Sequence, residues 1–168
     1  MDPKRLKQLK HPMVRQAVAE FLLSLIDPSD PSTQQSFRDW GATGDSRLGS
    51  DQALQNEIRW LRMFAVDLNV SQMLGETPAK CAILDSFYRA LSKAGYVDAN
   101  YLERAAAYTE ALKGAGPPDP ALAVGRTFGR FLGAPSDPDG AMRGKIQFMA
   151  LSITLSEFFV RATKPERT

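Results

Sequence analysis

The sequence of 168 residues contains very little of the side-chain chemistry that enzymes and metal proteins use. It has one histidine, His11, and one cysteine, Cys81. Histidine has the ordinary pKa best suited to proton transfer near neutral pH, and it is the most common metal ligand. Zinc sites need several cysteine or histidine ligands, and a di-iron centre in a bundle needs a Glu-x-x-His pair on each of two helices. We therefore predict no metal, no cofactor and no enzymatic activity.

Disulfides and long apolar runs are lacking as well. A single cysteine cannot form a disulfide within the chain, so nothing in the sequence requires an oxidising compartment. The apolar run at 146–160 contains Gln147, Glu157 and three hydroxyl side chains, and it falls short of the ~20 apolar residues that a membrane span needs. Glu20 interrupts the apolar segment at 17–26, and no signal-cleavage site follows it. The sequence predicts a soluble, cytoplasmic protein.

Positive charge is concentrated at the ends of the chain. Residues 1–10 carry a net charge of +3 and residues 161–168 carry +2, whereas the 150 residues between them hold 14 basic and 17 acidic side chains. A nucleic-acid-binding domain usually carries a basic stripe on its folded body. Binding to nucleic acid is therefore an alternative that we do not favour. It would use the basic ends together with Arg126, Arg130, Arg143 and Lys145.

The chain is rich in signals that start helices. Proline suits the first turn of a helix, and a Thr or Asp just before it can cap free backbone N–H groups. This arrangement occurs at Thr77-Pro78, Asp119-Pro120 and Asp137-Pro138. With the spacing of apolar residues, it predicts an all-α, single-domain bundle of six main helices without a sheet, at 12–26, 51–74, 78–94, 99–113, 120–132 and 138–162. Outside these helices we expect a basic tail at 1–10, a long loop at 27–50 with a short helix near 32–40, and a second tail at 163–168.

Two of the predicted helices have the composition of core helices. The second half of 51–74 is apolar on nearly every side, so Leu61 and Phe64 are predicted to be buried. A further set of large apolar residues recurs at helical spacing in 138–162, namely Met142, Ile146, Met149 and Ile153. We therefore predict that these two helices lie at the centre of the bundle.

Two single residues invite a functional interpretation. Cys81 lies in the first turn of a predicted helix, where thiols can become reactive. It has no histidine partner, and we predict a small, buried side chain. Asp67 interrupts an apolar segment and has no basic residue four positions away. We interpret it as a structural or interfacial hydrogen-bonding group, because no other catalytic group accompanies it.

Glycines recur every four residues at Gly125, Gly129 and Gly133. Gly133 is expected to end its helix, but the two interior glycines each cost about 1 kcal/mol relative to alanine. They form a smooth strip that lets another backbone approach closely, either within the bundle or from another subunit. Arg126 and Arg130 flank the strip. We take Gly125, Arg126, Gly129 and Arg130 as the candidate contact surface.

Without a catalytic set, the sequence favours a non-enzymatic helical protein-interaction or regulatory subunit. Its partner would be another protein or a second copy of the chain. Two alternatives stay open. One is the nucleic-acid-associated helical subunit described above. The other is a protein that binds a small apolar ligand, because six methionines and nine phenylalanines could line an adaptable cavity.

Overall fold

The computed structural model describes residues 11–26, 51–114 and 119–163. Six α-helices occupy these ranges: α1 Pro12–Ser24, α2 Asp51–Leu74, α3 Pro78–Lys93, α4 Ala99–Gly114, α5 Pro120–Phe131 and α6 Pro138–Thr163. No strand occurs in them, and the predicted all-α bundle is confirmed. The predicted tail at 1–10, the loop at 27–50 with its short helix, and most of the tail at 163–168 lie outside the described residues.

Four helices begin at polar residues that cap them, and three of these caps were predicted from the sequence. The side chains of Thr77, Asp98 and Asp119 each accept a hydrogen bond from the backbone N–H three residues later, at 3.3, 2.8 and 3.0 Å. The two carboxylate oxygens of Asp137 accept from two successive backbone N–H groups, both at 3.0 Å. Each such cap satisfies donors that the helix itself cannot and contributes about 1 kcal/mol.

Glycines with a left-handed backbone follow the ends of three helices, α2, α3 and α5. Gly95 comes after α3 with φ 73°, and Gly133 comes after α5 with φ 77°. Residues with a Cβ rarely adopt this left-handed conformation, which is why glycine terminates helices so often. The prediction that Gly133 ends its helix is confirmed.

Helix α2 lies at the centre of the bundle, as predicted. It packs against α3, α4, α5 and α6. Leu61 is fully buried and Phe64 is 6% exposed. The centroid of the Phe64 ring lies 5.1 Å from that of Tyr108 and 6.4 Å from that of Phe148. One aromatic side chain of α2 thus joins α4 to α6.

The other helices are arranged around α2 in pairs. Helix α1 packs on α3, and α5 packs between α4 and α6. The ring of Phe21 in α1 also stacks on that of Phe158 in α6, with 4.3 Å between centroids. Within the described ranges, no helix is both long enough and apolar enough to cross a membrane.

Helix α6 does not lie at the centre, and that prediction is wrong. Its packing against α2 and α5 comes from one face, whose large buried members are Phe148, Leu151, Leu155 and Phe159. The predicted core residues Met142, Ile146, Met149 and Ile153 are 46%, 54%, 43% and 57% exposed. The helix has two apolar faces. The first face also carries Ala141 and Gly144, which let α5 approach the backbone closely, and this face is the one that becomes buried.

Candidate functional site

The candidate contact surface on α5 splits into a buried half and an exposed half. Gly125 and Gly129 are buried. A Cβ placed on Gly125 would overlap the carbonyl oxygen of Ala141 and lie 2.8 Å from the backbone nitrogen of Lys145. A Cβ on Gly129 would lie 3.4 Å from the backbone nitrogen of Ala141. Helix α6 of the same chain therefore occupies the strip and leaves no room there for the helix of another subunit, which corrects the intersubunit interpretation.

The arginines of that candidate surface are on the outside of α5. Arg126 and Arg130 are exposed, and the Arg130 guanidinium lies 5.4 Å from the centroid of the Phe131 ring. Lys145, which belongs to the alternative nucleic-acid surface, forms an ion pair with Asp119 at 2.6 Å. The structure thus places the glycines inside the bundle and the arginines outside it. The charge of Lys145, which nucleic-acid binding would use, is neutralised by Asp119.

An apolar surface lies on the outer face of α6, formed largely by residues that the sequence analysis assigned to the core. We call it the α6 stripe; its members are Met142, Ile146, Met149, Ile153 and Val160. They are between 40% and 57% exposed, although the opposite face of the same helix is buried. Together they form a patch on the order of several hundred Å², a size that on a monomeric protein often marks an interaction site.

The spacing of the α6 stripe is that of a coiled-coil seam. Its members alternate steps of four and three residues from Met142 to Ile153, and Ser156 and Val160 continue the pattern. Such a pattern fills positions a and d of successive heptads, the positions at which one helix packs against another. The sequence did reveal these residues, but their assignment to the core was wrong, because periodicity does not tell which of two apolar faces meets the bundle.

Charged side chains border one edge of the α6 stripe. Asp139, Arg143, Glu157 and Arg161 follow one another along this edge with alternating sign. Glu157 and Arg161 form an ion pair at 3.5 Å, with 63% and 81% of their side chains exposed. An ion pair in solvent contributes little to stability. The apolar stripe is exposed, as are Asp139, Glu157 and Arg161 of its charged edge, whereas Arg143 is half-buried.

A buried ion pair joins α2 to α4. The guanidinium of Arg104 donates to both carboxylate oxygens of Glu57, at distances from 2.6 to 3.2 Å. Burial raises the pKa of Glu57 above its usual value, and the hydrogen bonds from Arg104 lower it in part. The Tyr108 hydroxyl is buried close by, and it has no hydrogen-bond partner among the described residues. Because Glu57 and Arg104 are 47 positions apart, no local pattern could have paired them.

Asp67, which the sequence left without a local partner, belongs to a small polar cluster. The Tyr88 hydroxyl donates to one of its oxygens at 2.5 Å, and the Ser71 hydroxyl donates to the other at 3.3 Å. The hydroxyls of Tyr88 and Tyr101 are 3.1 Å apart. Burial raises the pKa of Tyr88 well above its usual range and that of Tyr101 to about 12. Asp67 thus ties α2 to α3 through Tyr88, and Tyr88 in turn contacts Tyr101 of α4, in agreement with the structural interpretation.

This cluster predicts a loss of stability at alkaline pH. The unfolded chain gives up the two tyrosine protons near pH 10, whereas the folded chain retains the Tyr101 proton until about pH 12. The stabilisation is complete below pH 10 and is lost as the pH rises through this window, by up to about 1.4 kcal/mol per pH unit for each tyrosine. We expect urea unfolding at pH 9 to 11.5 to show this slope, and Tyr88→Phe to reduce it. Tyr96→Phe, outside the cluster, is the control, and equal slopes in all three proteins would contradict the prediction.

Cys81 is exposed, and the predicted burial is wrong. Its helix buries Ala79, Ile83 and Phe87, so position 81 falls on the opposite side. The neighbouring apolar residues that suggested burial belong to the inner face of α3. Among residues 11–26, 51–114 and 119–163, no three His, Cys, Asp or Glu side chains come together in a way that could hold a metal ion.

A groove of about 660 Å³ runs between α1 and α3. Three cationic side chains line it, Arg15, Arg89 and Lys93, together with the single acidic residue Glu20. None of the three cations forms an ion pair within the part of the chain that the structure describes, and Nε of Arg15 is buried without a hydrogen-bond partner. The groove therefore has an excess of positive charge on a body whose overall charge is mildly negative.

Comparison with known proteins found no relative of the chain. The chain matches no protein-family model, no curated protein and no solved structure.

Proposed function

We propose that the protein is a non-enzymatic helical interaction subunit, and that the α6 stripe is the surface through which it binds another protein chain. The observation that supports this proposal is the second apolar face of α6. A helix on the surface of a soluble protein normally has one apolar face toward the core and a polar face toward water. Here five large apolar side chains are 40–57% exposed on the outer face, and a binding partner would remove them from water.

The size of the stripe agrees with such a role. A patch of roughly 400 Å² on each of two partners, buried at about 25 cal/mol per Å², gives roughly 20 kcal/mol of favourable transfer free energy. Association itself costs about 4–15 kcal/mol in lost freedom of motion. Buried area alone does not set affinity, and a stable interface buries about 1,200–2,000 Å² in total, so the polar residues around the stripe would have to contribute to the contact. The charged edge would add orientation more than affinity.

The test is a variant that makes the stripe polar without disturbing the fold. Ile146→Gln/Ile153→Gln changes two residues that are 54% and 57% exposed, so its free energy of unfolding should stay within about 1 kcal/mol of wild type. The wild-type protein and the variant are affinity-tagged, cross-linked in the cells that make them, and purified. We expect the wild-type protein to bring down a second chain in stoichiometric amount, and the variant to bring down none.

The matched control replaces the same number of exposed apolar residues away from the stripe. Met13 and Leu102 are 76% and 62% exposed, and Met13→Gln/Leu102→Gln should keep the bound chain. If the stripe variant keeps the same association as the wild-type protein, the proposed function is wrong.

The groove between α1 and α3 favours a second candidate function, association with nucleic acid. Its three cations form no ion pair among the described residues and line the space between α1 and α3, and the sequence before α1 is basic at 1–10. Cations that neutralise phosphates release counterions, so the affinity falls steeply as salt is added. This site differs from the one that the sequence suggested, because it uses Arg15, Arg89 and Lys93 instead of the arginines of α5.

The groove predicts a salt-dependent affinity for duplex DNA that Arg89→Gln/Lys93→Gln weakens. In fluorescence anisotropy between 50 and 200 mM salt, each lost phosphate contact should reduce the slope of log affinity against log salt by about 1. Arg126→Gln, an exposed arginine outside the groove, is the control. Undetectable binding by the wild-type protein, or an equal effect of the control, would rule the second candidate out.

A further inference from the structure

The α6 stripe is symmetric about its own midpoint. Leu151, a buried residue of α6, marks this midpoint. Met149 and Ile153 lie two residues on either side of it, Ile146 and Ser156 lie five, and Met142 and Val160 lie nine. The spacings between successive positions are therefore the same when they are read from either end of the helix. Two copies of the stripe placed antiparallel would bring Met142 opposite Val160 and Met149 opposite Ile153 at the same height, and Ile146 opposite the half-buried Ser156 that continues the pattern.

The charged edge is symmetric about position 150, one residue from the midpoint of the stripe, with the signs exchanged. In an antiparallel pair, the edge of one helix runs beside the same edge of the other. Arg143 then lies about 3 Å along the axis from Glu157 of the second copy, and Arg161 lies equally close to Asp139 of the second copy, at a rise of 1.5 Å per residue. The two-fold axis repeats both contacts, which gives four pairs of opposite sign.

A parallel arrangement lacks this complementarity. In a parallel pair the charged edge of one helix faces the other flank of its partner. On α6 that flank carries Lys145 and Ser152, so Lys145 would lie beside Ala150 and Ser152 beside Glu157, and no pair of opposite charges forms. The charge pattern of α6 thus selects the antiparallel orientation.

We propose that the chain forms a homodimer in which the α6 stripes of two copies pack antiparallel about a two-fold axis near Leu151. This inference rests on the proposed function, because it names the occupant of the same surface. The stretch from Asp139 to Arg161 rises about 33 Å, which accommodates three heptads of contact. Because a two-fold interface uses the same patch on both copies, a self-complementary stripe is the pattern that it requires.

The first experiment measures the mass of the purified full chain by size-exclusion chromatography with light scattering. We expect about twice the monomer mass of 18.5 kDa, and Ile146→Gln/Ile153→Gln should shift the protein to the monomer. Met13→Gln/Leu102→Gln should stay dimeric. A monomeric wild-type protein at tens of micromolar, or a dimer that the stripe variant leaves intact, would overturn the proposal.

The second experiment determines the orientation by cross-linking. Cys81 is exposed, so the background is Cys81→Ser, to which Met142→Cys or Val160→Cys is added. In the antiparallel dimer, positions 142 and 160 of different copies lie at the same height, whereas two copies of position 160 are about 27 Å apart along the axis. A short bis-maleimide should therefore link the mixed, exchanged variants and should not link Val160→Cys to itself. Linking of Val160→Cys to itself would overturn the antiparallel arrangement.

The two experiments separate this inference from the proposed function. If the purified chain is monomeric while the stripe variant still loses a bound chain in cells, the second copy is the wrong occupant and the interaction function stands. If the stripe variant changes neither the mass nor the association in cells, both are wrong.

Discussion

The Gly125→Ala variant is expected to unfold at a much lower urea concentration than the wild-type protein, with a loss of about 3 kcal/mol or more of folding free energy. The added Cβ would overlap the carbonyl oxygen of Ala141 and lie 2.8 Å from the backbone nitrogen of Lys145. Both obstacles belong to the backbone of α6, so no side chain can rotate away. The two helices would have to separate along their whole contact. For a chain of this length we expect a melting temperature about 6–12 °C lower.

Gly129→Ala is the matched control on the same helix. Its Cβ would lie 3.4 Å from the Ala134 carbonyl oxygen and from the Ala141 backbone nitrogen, which is ordinary van der Waals contact. Alanine is also the better helix former by about 1 kcal/mol. We therefore expect this variant to match or slightly exceed the wild-type stability. Equal stability of the two variants would show that α6 does not lie against Gly125.

Arg104→Met is expected to cost about 3–5 kcal/mol of folding free energy, because it leaves the Glu57 carboxylate buried without its partner. Glu57 is 5% exposed, so water cannot replace the lost hydrogen bonds. The guanidinium also lies 4.7 Å from the centroid of the Trp60 ring and 4.4 Å from that of Phe131. Methionine keeps part of this packing, so most of the expected loss of folding free energy comes from the unpaired charge of Glu57.

The pH dependence of the Arg104→Met variant identifies the cause. Burial raises the pKa of Glu57 above its usual value of 4.5, and Arg104 opposes that effect. Without Arg104 the pKa rises further, so the folded state binds a proton that the unfolded state has released above pH 4.5. The deficit in stability should therefore be largest at pH 8 and shrink toward pH 5.

Two further variants complete this comparison by urea unfolding. Glu57→Met/Arg104→Met should recover most of the loss, because no buried charge remains. Lys113→Met breaks an ion pair whose side chains are 67% and 70% exposed, and it should cost less than about 1 kcal/mol. If Arg104→Met and Lys113→Met lose similar amounts at every pH, the pair between Glu57 and Arg104 is not the buried link described above.

The local chemistry of the chain was sufficient to predict where helices begin and end. Thr77, Asp119 and Asp137 cap the helices that their prolines start, and Gly133 closes α5 in the left-handed conformation. These features depend on residues within four positions of one another. The burial of Leu61 and Phe64 was also predictable, because that part of α2 is apolar on nearly every side and any packing would cover it.

The predictions failed where the sequence shows apolar residues nearby but does not show which side of a helix faces the core. Cys81 was assigned to the inside of α3 from its neighbours, yet a rotation of about 100° per residue places it on the outside. The same ambiguity led to the incorrect placement of α6. Its two apolar stripes have equal periodicity, and the deciding factor was the close approach of α5 to Ala141 and Gly144, which is a contact between distant segments.

The sequence by itself determined the helical class and the helix boundaries, because these depend on composition and on short-range hydrogen bonding. Only the tertiary structure decided which face of α6 meets the bundle, that Gly125 is closed by a backbone of the same chain, and that Asp67 and Glu57 have partners. Those outcomes depend on contacts between residues that are 16 to 47 positions apart. Such contacts form only when the helices pack, and it is their packing that leaves the α6 stripe exposed.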